Sequence, residues 1–102
     1  MRIHEYNIPR YKERLAAFRK YRALVDKLTE RVAHLVHGIE KRKFREWDLD
    51  HIIPVKYGFK NDIPAEKIAK LSNLRMISHQ QNTAKGQKLT HPLSILECND
   101  IV

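Results

Sequence analysis

One cysteine, Cys98, in 102 residues excludes an intrachain disulfide framework and a cysteine-built zinc ribbon. Three glycines and four prolines are too few for a fibrous or low-complexity chain. No stretch approaches the roughly 18 consecutive apolar residues that a membrane span requires, and the opening MRIHEYNIPRYKERL has no apolar core of the kind that marks a secretory leader. A membrane partner is therefore not expected. The length leaves no room for two lobes and predicts one small domain, or one with an appended helix, held together by packing. A lone thiol suits a reducing compartment, so the expected location is cytoplasmic.

Positive charge is what the chain has in excess. Lys and Arg number 20 against 12 Asp and Glu, a net charge of +8, and a polyanion is the first partner to consider. The excess is unevenly placed. Residues 1–45 carry 13 Lys/Arg and 5 Asp/Glu, while residues 46–102 carry 7 of each. This divides the chain into a basic helical segment (1–45), a charge-balanced unit (46–88) and a tail (89–102) expected to dock on the body through Leu93, Ile95 and Leu96.

In the basic segment, Phe18, Tyr21, Val25, Leu28, Val32 and Leu35 follow a 3-4-3-4-3 spacing, one stripe on a helix. Pro9 is well placed near its start, and Gly38 is a candidate stop or a weak point before a second basic run. From Pro9 to His37 the rod would measure roughly 40 Å, a little over one turn of duplex DNA. Arg19, Lys20 and Arg22, with Lys41, Arg42 and Lys43 behind the glycine, are the candidate DNA contacts. A solvated charged face over a buried stripe explains the same residues. The stripe also has the heptad spacing that pairs helices, which leaves a homodimer or a larger protein partner open.

From Trp47 the pattern changes to WDLDHIIPVKYGFKNDIPAEKIAKLSNLRMISHQQNTAKGQK. Trp47–Ile53 and Leu74–Ile77 are predicted strands. A short helix is expected over Ile63–Leu71, behind Asp62 and with Pro64 in its first turn. Ser78 with Gln81 three residues on is a capping box, so another helix should start there and close at Gly86. The predicted class is α+β: a long N-terminal helix plus a strand, long loop, strand, helix unit. That order brings Asp50 and His51, at the end of the first strand, toward Asn82, one turn into the last helix. An Asp carboxylate and an Asn carbonyl are hard oxygen donors suited to Mg²⁺, and a neutral imidazole beside the ion could take a proton from water.

At these residues the sequence resembles the HNH endonuclease family of phage and homing nucleases, whose site is a ββα-metal motif with a two-stranded antiparallel hairpin. The resemblance spans residues 47–88 and rests on Asp50-His51 followed by Ile-Ile-Pro, on Asn73-Leu74, and on Asn82 followed by Lys85-Gly86. It implies a metal-dependent DNA endonuclease that nicks phosphodiester bonds, with His51 as general base. Asp50 and Asn82 would be the ligands of one Mg²⁺ or Mn²⁺, and Asn73 would hold the backbone of the loop bearing His51. Ser78 and Gln81 stand where many members carry a zinc-binding cysteine pair, so no structural zinc is expected. A phage origin would make the location the host cytoplasm.

Asp48, on the same strand face as Asp50, and His79, Arg75 and Lys85 are candidate supports or phosphate contacts, and each is equally readable as an ordinary surface group. Two other functions fit the composition. One is a nucleic-acid-binding module on the same scaffold without hydrolysis; the other is an interaction protein working through its helical stripe.

Overall fold

The computed structural model describes residues 3–97, with side chains from residue 10 onward. The apolar stripe forms helix α1 (Ile3–Val32). It passes through Pro9 instead of starting there, the tertiary amide removing one backbone donor without ending the helix. Its far end is shorter than predicted. After Val32 the chain tightens into a 3₁₀ turn, Ala33–Leu35, and Gly38 then takes a left-handed φ of 82° ahead of a second such turn, Ile39–Lys41. Going from 3.6 to 3.0 residues per turn rotates the stripe. Leu35, predicted to lie on it, is 42% exposed, and Ala33 and Val36 are buried instead.

Strand β1 (Trp47–His51) pairs antiparallel with β2 (Leu74–Ser78) in a two-stranded sheet, with Asp50 directly opposite Arg75. The predicted first strand ran to Ile53; it stops at His51, just before Pro54, which has no N–H to offer a ladder. Between the strands the expected long loop and single helix are two short helices, α2 (Val55–Lys60) and α3 (Ala65–Ile68). Gly58 lets α2 approach its neighbours. A Cβ there would come within 2.5 Å of the Tyr21 hydroxyl and 2.6 Å of the Ile68 side chain. The capping box at Ser78 forms as expected. Ser78 Oγ accepts from the Gln81 amide at 3.1 Å and Gln81 Oε1 from the Ser78 amide at 3.3 Å, starting α4 (His79–Lys85), which Gly86 ends.

One core joins the basic segment to the rest. Val25 of α1 is buried with Ile53, Val55, Ala65, Ile68, Ala69 and Leu96, and Phe18, Tyr21 and Leu28 pack against them. Tyr21 donates to the Ile63 carbonyl at 2.7 Å. Its phenol, pushed up to about 12 by burial and by Glu66, stays neutral. In the tail, a 3₁₀ turn (Leu93–Glu97) docks through Leu96 and Ile95, and Lys67 reaches Glu97 at 2.8 Å. Leu93 stays exposed, and the part of the predicted tail beyond Glu97 lies outside the described residues.

Candidate functional site

Side chains alternate along β1, so Asp48 and Asp50 share one face and His51 takes the other. α4 crosses the first face, and its spacing of three residues puts Asn82 and Lys85 on one side of the helix. Asp50, 5% exposed, has both oxygens engaged. Arg75 Nε donates to Oδ2 at 2.9 Å from across the ladder, and Lys85 Nζ donates to Oδ1 at 2.9 Å and to the His51 carbonyl at 2.9 Å. The two candidate phosphate contacts Arg75 and Lys85 are thus held on a buried carboxylate, where a pair of cations compensates the loss of hydration.

Asp48 gathers the other two polar residues of α4. Asn82 Nδ2 donates to Asp48 Oδ2 at 2.8 Å, and His79 Nδ1 lies 2.9 Å from the same oxygen. Burial pushes the Asp48 carboxyl up, but the Asn82 amide and the His79 ring outweigh it and hold the group below its ordinary value. A carboxylate oxygen can only accept, so the Asn82 amide is oriented with its nitrogen on Asp48 and its carbonyl oxygen left over.

His51 faces α1. Its Nε2 lies 2.9 Å from Thr29 Oγ1, and burial depresses its pKa below the ordinary 6.5, against the opposing pull of Asp26 and Asp50. In the tautomer whose Nε2–H donates to the threonine, the Nδ1 lone pair is the one free to take a proton. Thr29, 2% exposed, was not singled out in the sequence, although it is the polar residue one position past Leu28 on an otherwise apolar face. Asn73 is fully buried. Its side chain accepts from the Ile53 amide at 2.7 Å and donates to the carbonyls of Ile53 at 3.1 Å and Ile68 at 2.7 Å, tying the peptide just after His51 to the end of α3.

Asp50, His51, Asn82 and Lys85 line one cleft of about 160 Å³, with Arg22, Lys56 and Gln87 among its other lining residues. Asp50 and Asn82 are its hard-oxygen residues, with both oxygens of Asp50 held by Arg75 and Lys85. Among the described residues no three His, Cys, Asp or Glu side chains group as a metal cage; a carboxylate and an amide carbonyl are donors that suit an ion keeping much of its own water, as Mg²⁺ does. Of the other predicted DNA contacts, Arg19 and Lys20 are exposed on α1. Those behind Gly38 have partners within the chain: Lys41 lies over the Trp47 ring at 5.1 Å, Arg42 is bidentate on Glu30 at 2.8 and 3.1 Å, and Lys43 meets Glu46 at 3.0 Å.

Fold and site together define an α+β chain whose long helix packs on the two short helices between the strands of a hairpin crossed by a further short helix, with a polar cleft at the junction. No protein-family model, curated protein or solved structure matches the chain.

Proposed function

We propose that the chain is an HNH-type endonuclease that nicks DNA with one divalent metal, its hairpin and α4 forming the ββα-metal unit. The observation that supports this reading is the meeting of His51, Asp50, Asn82 and Lys85 on one cleft. These side chains come from two separate stretches of sequence, and each has the chemistry that phosphodiester hydrolysis needs.

The parts divide the work as follows. His51 Nδ1 takes the proton of a water, whose oxygen bonds to phosphorus as the ester oxygen leaves, giving a phosphate monoester and, once the departing oxygen takes a proton from solvent, an alcohol. Burial keeps the imidazole neutral and therefore able to accept that proton at neutral pH. Thr29 fixes the ring through Nε2, and Asn73 fixes the peptide two residues beyond it. Asp50 and Asn82 are the residues that would hold the ion. When bound, a divalent ion would neutralise charge on the phosphate and the departing oxygen. Arg22 and Lys56, at the rim of the cleft, are placed to hold the phosphates on either side. Exposed Arg19 and Lys20, farther along α1, would extend the grip.

The test is supercoiled plasmid incubated with Mg²⁺ or Mn²⁺. The wild-type chain should give nicked circles, and His51→Ala should cut at least about 100-fold more slowly, the usual worth of a positioned base. Absence of nicking with either metal, or full activity in the variant, refutes the reading. One observation favours a second function, a DNA-binding module without hydrolysis: both oxygens of Asp50 are already held by cations. That reading gains if salt-sensitive duplex binding persists in chelator and no cleavage appears.

A further inference from the structure

We infer that Asp50 Oδ1 and the His51 carbonyl oxygen form a cation seat that the chain's own Lys85 ammonium fills until a divalent ion displaces it. The inference rests on the metal-dependent reading above and adds two elements to it: a backbone oxygen among the donors and an internal competitor for the ion.

Lys85 is 7% exposed at its side chain, a rare state for a residue that ordinarily keeps its head in water. Its ammonium is a compact point charge with three donors, and it sits 2.9 Å from each of two oxygens, one a carboxylate and one a backbone carbonyl. Carboxylate and carbonyl oxygens are the donors that Mg²⁺ and Mn²⁺ select. Arg75 stays on the other oxygen, Oδ2, so the departure of Lys85 opens one oxygen of Asp50 without stripping the group of all compensation. Asn82, one turn earlier on the same side of α4, has its nitrogen on Asp48 and a carbonyl oxygen to add.

The exchange has a direction. Lys85 is the last residue of α4, and Gly86 behind it has a φ of 56° with no atom within 4 Å of where a Cβ would lie. The side chain's four-carbon stem can carry the ammonium off Asp50 and into the cleft it already lines, where the anion present in a substrate complex is a phosphate. The same charge that closes the seat without metal then becomes available to the substrate once metal arrives. Lys85 therefore weakens metal binding in the free protein. A purely structural lysine would act oppositely: its loss would loosen the site and lower metal affinity.

The test uses the full chain and Mn²⁺, with bound ion counted by electron paramagnetic resonance of the free aqua ion. Lys85→Met, and Lys85→Gln in case the methionine variant folds poorly, should each bind Mn²⁺ at least about tenfold more tightly than wild type. Asp50→Asn should abolish binding in either background. In the wild type, ¹⁵N–¹H spectra of lysine ammonium groups should show one slowly exchanging Lys85 signal that disappears as Mg²⁺ is added. Equal or weaker Mn²⁺ affinity in both Lys85 variants overturns the exchange. If the Asp50-dependent Mn²⁺ site is nonetheless present, the metal-dependent reading survives that result. If no chain binds Mn²⁺ at Asp50, both fall.

Discussion

Replacing Asn73 with alanine should be among the costliest single polar changes within the described residues. The side chain makes three hydrogen bonds, to the amide and carbonyl of Ile53 and to the carbonyl of Ile68, and neither Asn73 nor Ile53 is exposed at all. Each bond is worth about 1 kcal/mol net, and a buried amide left without an acceptor adds about 1–3 kcal/mol. Together these predict a loss of about 4–6 kcal/mol, a large part of the roughly 5–15 kcal/mol that holds a domain folded. Urea unfolding followed by the fluorescence of Trp47 measures it, as a drop in midpoint at unchanged slope. Asn73→Asp should be at least as damaging, because a carboxylate placed against two carbonyls cannot donate to either. A loss below about 1 kcal/mol in the alanine variant would refute the reasoning, since it would mean that water or relaxed backbone satisfies Ile53 equally well.

Four further outcomes follow from the same geometry. Thr29→Val, nearly isosteric, should reduce nicking about tenfold or more by freeing the imidazole, with Thr29→Ser restoring most of it; equal rates in all three chains would remove Thr29 from the site. Burial places the His51 pKa below 6.5 in the folded chain, so the unfolded chain takes up the proton first as pH falls. Stability should therefore decline below about pH 6.5 through this group, and the acid limb of the single-turnover rate should lie under that pH; a limb at 7 would contradict the assignment. Gly58→Ala drives a methyl into Tyr21 and Ile68 and should lower stability by about 1–3 kcal/mol in thermal melts. Neutralising Arg19 and Lys20 together should flatten the log–log salt dependence of duplex binding by about 0.9 for each phosphate that the variant no longer neutralises, and an unchanged slope would take α1 off the DNA.

What could be read in the sequence was what short-range chemistry determines. The capping box at Ser78 and the stop at Gly86 are local signals that formed where they were expected, and the strand expected over Trp47–Ile53 formed as far as His51. The α1 stripe was legible as far as Val32; beyond it, the switch to 3₁₀ geometry that buried Ala33 and Val36 in place of Leu35 has no periodic signature. Helix α2 was hidden because VKYGFK contains a β-branched residue, two aromatics and a glycine, a composition with little helical preference. That glycine is required by the close approach of Tyr21, far earlier in the chain, and of Ile68, in the next helix. In the site, the types Asp50, His51, Asn73 and Asn82 could be picked out, but the partners could not. Arg75 meets Asp50 only because the register sets them opposite, and Thr29 meets His51 only once α1 has packed on α2 and α3.

Helix α4 buries no apolar side chain. It is fixed by the Ser78 capping box, by the His79 amide on the Glu46 carbonyl at 2.9 Å, and by Asn82 and Lys85 on the two aspartates. An element without an apolar anchor opens at low free energy, and here the bonds that hold its C-terminal end include those of Lys85 at the cleft. Occupancy of the site and order at that end of the helix are thus coupled. The amide exchange rates of residues 82–86 become a gauge of what the carboxylates hold, readable in the intact protein without substrate or turnover.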